Sequence, residues 1–131
     1  MRALVVEDSR VVRQGLIRLL SGVKNVQVVA EAETVSQALD RIVDLRPDVV
    51  TLDVRLAEGT GFDVLRGLRV LDPKPCVLVT TNLADPQTRR ECLALGADYF
   101  FDKSRELAEL RKTVAHLAGR RDPSDEGASS A

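Results

Sequence analysis

Five short, mostly apolar runs alternate along the chain with segments of helical periodicity, and this alternation constrains the fold more than any other feature. The runs predict strands at 2–7, 26–31, 48–53, 75–80 and 98–101. Near-continuous apolar runs of this length are typical of strands buried on both faces of a parallel sheet. Strands that alternate with helices predict an α/β domain, in which right-handed crossovers place helices on both faces of the sheet.

Five helices are predicted from apolar residues spaced three and four apart. They cover 10–20, 35–45, 62–71, a fourth segment that stops before Gly96, and about 104–118. Thr34 and Gln37 form a capping-box pattern at the start of the second helix. Asp85, followed by Pro86, suits the start of the fourth helix, and Gly96 suits the position just beyond its end.

Composition mainly excludes function classes. The 131 residues carry a net charge of -1, without the basic excess of a nucleic-acid-binding surface, so no direct nucleic-acid partner is expected. No apolar run approaches the roughly 20 residues of a membrane span, and no signal peptide precedes the first strand, which predicts a cytoplasmic location and no membrane partner. Residues 119–131 lack large apolar side chains and predict a disordered tail after a single domain over 1–118.

The residues of common redox and hydrolytic sites are sparse. Cys76 and Cys92 form no C-x-x-C pair and have no histidine cluster beside them, so both are expected to be reduced core residues. His116, the sole histidine, falls late in a helical pattern where a surface position is expected. A serine or cysteine hydrolase is therefore disfavoured, and no G-x-S-x-G motif is present.

Polar residues stand at the carboxyl ends of four predicted strands. Glu7 and Asp8 end the first strand, Asp53 the third and Thr80 the fourth, and Lys103 ends the fifth. In a parallel doubly wound sheet these ends lie on one edge, where ligands bind. We therefore expect the five side chains to lie near one another.

These residue types together indicate metal-assisted phosphoryl transfer. Three neighbouring carboxylates repel one another unless a proton or a cation joins them, and Mg²⁺ prefers oxygen ligands. A lysine and a hydroxyl suit the remaining oxygens of a phosphoryl group. Asp53, at the end of a strand expected in the centre of the sheet, is the expected covalent nucleophile. Glu7 and Asp8 are the expected metal-holding pair.

Each residue also has an ordinary structural explanation. Asp8 could stabilise the N-terminus of the next helix through its dipole, and Asp53 could be a turn residue. Thr80 could be present for its β-branching, and Lys103 could be an exposed strand-end lysine. The functional interpretation depends on the expectation that all of these polar residues lie together at the carboxyl edge of the sheet.

The ordered set of motifs resembles the receiver domain of two-component response regulators. The matching segments, spread over residues 2 to 118, read LVVEDS, RPDVVTLDV, GTGFDVLRGLR, VLVTT and GADYFFDKS. The resemblance implies a doubly wound, flavodoxin-like (βα)5 fold whose five-stranded parallel sheet has the order 2-1-3-4-5. It also implies a phosphoprotein that accepts a phosphoryl group from a sensor histidine kinase or a histidine phosphotransfer protein and signals to an output protein that the sequence does not identify.

The resemblance assigns a role to each matching residue. Asp53 would be the phosphoacceptor, and Thr80 and Lys103 would contact the phosphoryl oxygens. The implied Mg²⁺ ligands are Glu7, Asp8, Asp53 and the backbone carbonyl of Arg55.

The resemblance also implies a conformational switch. Phe100 matches an aromatic switch residue coupled to Thr80, so phosphorylation is expected to alter the face formed by the fourth helix, the fifth strand and the fifth helix. Tyr99 should point to the other side of its strand.

Four positions depart from the family pattern or vary within it. Ser104 replaces the usual proline after the lysine, so the loop that follows is free to differ. Arg55 and Asn82 occupy positions that tune the lifetime of the aspartyl phosphate in the family, and both are expected to do so here. The switch residue is Phe rather than the more common Tyr.

The leading interpretation is a stand-alone receiver that acts through protein contacts. It would not be a conventional enzyme, because it would accelerate only its own phosphorylation and dephosphorylation. Three alternatives remain: an interaction module of the same fold that is not phosphorylated, a metal-dependent phosphatase or other hydrolase, and the receiver half of a truncated DNA-binding regulator. The hydrolase would need a separate substrate pocket and a general acid, and no helix-turn-helix pattern follows Ala118.

Overall fold

The structure, a computed structural model, describes residues 1–121, and within that range strands and helices alternate. The strands are β1 (Arg2–Val6), β2 (Gln27–Ala32), β3 (Val49–Leu52), β4 (Cys76–Thr81) and β5 (Tyr99–Asp102). The helices are α1 (Arg10–Ser21), α2 (Val35–Leu45), α3 (Gly61–Leu68), α4 (Pro86–Ala94) and α5 (Leu107–Arg121).

All neighbouring strands pair in parallel, in the order β2-β1-β3-β4-β5. This confirms the predicted flavodoxin-like sheet. Side chains alternate between its two faces, so each face has its own apolar core. Leu52 and Val79 pack with α2, α3 and α4 on one face. Val5 and Leu78 pack with α1 and α5 on the other.

Local interactions place the start of α2 and both ends of α4 where the sequence predicts them. Thr34 accepts a hydrogen bond from the backbone N–H of Gln37 at 3.1 Å and begins α2. Asp85 accepts one from the N–H of Thr88 at 2.9 Å and begins α4. Gly96 follows the end of α4 with a φ of +106°, a left-handed conformation that glycine adopts without steric cost.

The expected bounds of α3 and α5 are wrong by up to three residues. Helix α3 ends at Leu68 rather than at 71. Helix α5 begins at Leu107 rather than at 104, because the carbonyl of Asp102 accepts the N–H groups of Arg105 and Glu106 and a turn intervenes. Helix α5 also continues to Arg121, so residues 119–121 are helical. The rest of the predicted tail lies outside the described residues.

The remaining composition-based expectations concern single side chains and membrane spans. Cys92 is buried, Cys76 is half-buried, and neither is in a disulfide. Burial raises the pKa of Cys92 to about 11, which keeps the thiol protonated at neutral pH. His116 is exposed on α5, as expected. Over residues 1–121 we find no helix with the length and apolar character that crossing a membrane requires.

Candidate functional site

The sheet register brings three polar side chains to one level at the carboxyl edge. Three core residues occupy the same row of neighbouring strands, namely Val5, Thr51 and Leu78. Glu7, Asp53 and Thr80 lie two positions further along the chain and therefore point to the same side of the sheet, towards α1 and α5. All three are buried, with 1%, 6% and 1% of their surface exposed. The predicted convergence on one edge is confirmed for these residues.

Lys103 joins two of these side chains across the sheet. Its Nζ donates a hydrogen bond to Oδ2 of Asp53 at 2.6 Å and another to Oε1 of Glu7. The lysine side chain is only 10% exposed, so these ion pairs are shielded from water. The other carboxylate oxygen of Asp53 accepts the N–H of Val54 at 2.7 Å, which fixes the orientation of the group.

The three acids form a cluster that suits a divalent cation. Carboxylate oxygens of Glu7, Asp8 and Asp53 all lie within 4.8 Å of one another. Asp8 is exposed, so the cluster opens to solvent on its side. Mg²⁺ binds through a small number of carboxylates and retains several waters, and a partly open set of oxygen donors meets that requirement.

The electrostatics of the cluster indicate surplus negative charge. Burial raises the pKa of Glu7 to about 7, and a hydrogen bond with Asp8 and the charge of Asp53 act in the same direction. The Lys103 ammonium and the N–H of Ser9 lower that pKa, but by less. Burial lowers the pKa of Lys103, yet its hydrogen bonds to Asp53 and Glu7 outweigh that effect and leave this pKa above the ordinary value. A bound cation would favour the ionised form of Glu7.

Thr80 and Phe100 are both buried, Thr80 on the face of the sheet that carries the cluster and Phe100 on the opposite face. The hydroxyl of Thr80 donates to the carbonyl two residues earlier in β4 at 3.4 Å, a long and weak hydrogen bond. The Phe100 ring is 7% exposed and packs in the core with α2, α3 and α4, and the guanidinium of Arg89 lies 5.8 Å from its centroid. Tyr99 instead stacks on Phe101 on the opposite side of β5, as predicted.

Arg55 and Asn82 lie at the rim and not among the buried acids. Both are exposed. Arg55 pairs through its backbone with Thr60 across the loop that follows β3. Asn82 and Lys103 border a cavity of about 400 Å³ between α1 and the first turn of α5. Their expected effects on phosphate lifetime stay predictions.

Gly61 sets the distance between α3 and the backbone of Asp53. A Cβ at this position would lie 2.5 Å from the carbonyl oxygen of Asp53 and 3.0 Å from Cα of Val54. The N–H of Gly61 donates to the carbonyl of Val54 at 2.7 Å, so the contact is already close. Only glycine allows α3 to begin this near to Asp53.

Gly61→Ala is therefore expected to destabilise the chain by about 1–3 kcal/mol, because backbone atoms must move to admit the methyl group. Gly15→Ala is the matched control. Gly15 lies in the middle of α1 with nothing within 4 Å of its added Cβ, so alanine there should stabilise the chain by about 0.5–1 kcal/mol. Urea unfolding of the two variants measures both effects. Equal shifts of the same sign would contradict the close contact at Gly61.

One buried residue beside the cluster was not anticipated from the sequence. Arg13 of α1 donates from Nη1 to the carbonyl oxygen of Glu7 at 2.8 Å and of Asp8 at 3.5 Å. The available signal was its spacing, because Arg13, Leu16 and Leu20 fall on the buried stripe of α1. A charged side chain on such a stripe requires a buried partner.

Comparison with known proteins agrees with this fold. The family described as response regulator receiver domain matches residues 3–115. The DNA-binding transcriptional activator DevR/DosR of Mycobacterium tuberculosis is 32% identical over 99% of this chain and 60% of its own length. Protein CcdB of Bacillus subtilis is 31% identical over 90% of this chain and 98% of its own length.

A solved structure of another protein has the same fold. The two-component response regulator of the LuxR family from Aurantimonas sp. SI85-9A1 superposes with a TM-score of 0.83 at 27% identity, covering 89% of this chain and 84% of that one. The chain belongs to the family of response regulator receiver domains. It spans less than two thirds of the length of the mycobacterial relative.

Proposed function

We propose that this receiver domain is a phosphoacceptor whose Asp53 takes a phosphoryl group from a phosphohistidine. The observation that carries the proposal is the surroundings of Asp53, which has the Lys103 ammonium at 2.6 Å on one side and the carboxylates of Glu7 and Asp8 on the other. A buried carboxylate with a fixed cation and a metal-binding acid pair suits a nucleophile that must accept a negatively charged group.

The transfer forms one bond and breaks one. An oxygen of the Asp53 carboxylate attacks phosphorus, the bond from phosphorus to the donor's imidazole nitrogen breaks, and the imidazole leaves with the electron pair. Lys103 remains close enough to pair with a phosphoryl oxygen, and the weakly bonded hydroxyl of Thr80 is available to donate to another. Mg²⁺ held by Glu7, Asp8 and Asp53, with the Arg55 carbonyl as a further expected ligand, would offset the charge on these oxygens.

Signalling would follow from a change near Thr80. Movement of its hydroxyl towards a phosphoryl group would be coupled to Phe100, the aromatic switch residue that the family resemblance implies, and the Phe100 ring lies 5.8 Å from the guanidinium of Arg89. Because Arg89 belongs to α4 and Phe100 to β5, the face made of α4, β5 and α5 is where an output protein would sense the change. The donor would be a sensor histidine kinase or a histidine phosphotransfer protein, with no direct contact to nucleic acid or membrane and a cytoplasmic location.

Two versions of this function differ in what the receiver controls. The match to nearly the whole of CcdB favours a receiver that acts alone through protein contacts. The match to 60% of DevR/DosR favours the receiver half of a DNA-binding regulator. Both require phosphorylation of Asp53, so one experiment tests their shared basis.

The chain incubated with Mg²⁺ and acetyl phosphate is expected to gain one phosphoryl group by intact mass, because the cluster can hold both the cation and the incoming group. Asp53→Asn should abolish the gain. Asp40→Asn is the matched control, since Asp40 is an exposed acid on α2, and its adduct should equal that of the wild type. No adduct on the wild type, or the same adduct on Asp53→Asn, would support the unphosphorylated interaction module instead. Donor consumption without any adduct would support the hydrolase.

A further inference from the structure

Arg13 is a buried cation directly behind the acid pair. The residue is 9% exposed, and its Nη1 donates to the carbonyl oxygen of Glu7 at 2.8 Å and of Asp8 at 3.5 Å. Its Nε donates to Oε1 of Glu31 at 2.7 Å, and Nη1 also lies 3.7 Å from Oε2 of Glu33. The guanidinium therefore connects the loop after β1 to the end of β2.

The contact of Arg13 with these backbone carbonyls matters most for the position of the Asp8 carboxylate. Glu7 is held by its burial, by Lys103 and by the N–H of Ser9, which donates to its Oε2 at 2.9 Å. The carboxylate of Asp8 is exposed, and its position follows the orientation of the peptide groups around it. A guanidinium is planar and rigid, so it restricts those groups more than a flexible ammonium would.

The charge of Arg13 is already balanced by two glutamates outside the acid cluster. Its Nε pairs with Glu31 and its Nη1 lies 3.7 Å from Glu33, so the guanidinium need not turn towards the carboxylates of Glu7 and Asp8. Lys103 is then the cation that pairs with the cluster directly. The acid pair keeps its negative charge for a divalent cation while its backbone stays fixed.

We propose that Arg13 is a positioning residue for divalent-cation binding, and that Glu31 keeps it in place. This inference rests on the metal site of the proposed function. Arg13 touches no metal-binding carboxylate; it acts through the backbone carbonyls of Glu7 and Asp8. Loss of such an outer partner commonly weakens metal affinity by about 10–100-fold.

Direct titration of the unphosphorylated chain with Mn²⁺ tests the proposal, with free Mn²⁺ followed by electron paramagnetic resonance. Arg13→Met should raise the dissociation constant by about 10-fold or more. Arg18→Met is the matched control, because Arg18 is an exposed arginine of the same helix and the change in net charge is the same. Its dissociation constant should equal that of the wild type. Urea unfolding of each variant gives its unfolded fraction, and the measured affinity is corrected for it. A merely structural role of Arg13 would raise the unfolded fraction but leave the Mn²⁺ affinity of the folded chain unchanged.

Glu31→Gln keeps the test decisive if Arg13→Met does not fold, since Glu31 is exposed and is not one of the three acids of the cluster. It should weaken Mn²⁺ binding several-fold, and adding it to Arg13→Met should cause no further loss, because both act through one contact. Wild-type affinity in both single variants would overturn the proposal, as would additive losses in the double variant. A wild type that binds no Mn²⁺ would instead remove the metal site and with it the proposed function.

Discussion

Asp8→Ala is expected to abolish Mg²⁺-dependent phosphorylation of Asp53 while the chain remains folded. Asp8 supplies one of the three carboxylates that lie within 4.8 Å of one another, and it is the exposed one, so the core does not depend on it. Removing a direct ligand should slow adduct formation by about 100-fold or more, beyond the usual effect of losing an outer partner. Loss of one of three like charges should leave the free energy of unfolding equal to that of the wild type or slightly higher.

The measurement is the initial rate of phosphorylation by acetyl phosphate over a range of Mg²⁺ concentrations. Asp40→Ala, a change of the same charge at an exposed position of α2, should behave as the wild type. A wild-type rate in Asp8→Ala at limiting Mg²⁺ would show that Asp8 is no ligand. Recovery only at much higher Mg²⁺ would be consistent with the remaining pair, Glu7 and Asp53, binding the ion weakly.

The second large effect concerns the stability of the metal-free chain, which should depend on pH through Glu7. The pKa of this group is about 7 in the folded chain against an ordinary value of 4.5, mainly because it is buried. The folded state therefore binds the proton more tightly than the unfolded state. The stability that this provides is fully present below pH 4.5 and is lost as pH rises through 7, a loss of about 3 kcal/mol.

Glu7→Gln isolates this effect, because glutamine has the shape of glutamate but cannot ionise. Its single oxygen replaces only one of the two acceptors, Oε2 for the N–H of Ser9 or Oε1 for Lys103, and the stability lost in this way does not vary with pH. Urea unfolding in the presence of a chelator, at pH values from 4.5 to 8, should show the wild type losing stability relative to Glu7→Gln. Adding Mg²⁺ at pH 8 should restore stability to the wild type alone, since the cation binds the ionised folded state. Parallel stability curves for the two proteins would contradict a raised pKa.

The sequence was sufficient to predict the order of strands and helices and the edge of the sheet at which the candidate site lies. The apolar runs and the helical periodicity are each local signals, and a parallel sheet then requires the ends of β1, β3, β4 and β5 to share an edge. That requirement alone brings Glu7 and Asp53 together. Helix bounds were less accurate, because a single contact such as the carbonyl of Asp102 accepting two N–H groups shifts the start of α5 by three residues.

The sequence did not reveal how the charges would be shared. The sequence led us to expect that Lys103 contacts a phosphoryl group, and it gave no sign of the ion pair with Glu7 that the structure shows. The helical periodicity of residues 10–20 assigns no role to Arg13, although it reaches the backbone of the acid pair and a glutamate of β2. Long side chains can span several ångströms in many directions, so their partners depend on three-dimensional neighbours that spacing in the sequence does not give.

The ion pairs of Lys103 also bear on how the chain acquires its activity during folding. The lysine is 96 residues from Glu7 and 50 residues from Asp53 along the sequence, so both pairs are among the most non-local contacts of the domain. Contacts of such separation form late, because the entropy lost in closing a long loop precedes any gain. During synthesis, β1 and β3 emerge before β5, and Asp53 then lacks its cation. Competence for phosphoryl transfer should therefore arise only when the last strand docks, which would prevent incomplete chains from competing for the donor.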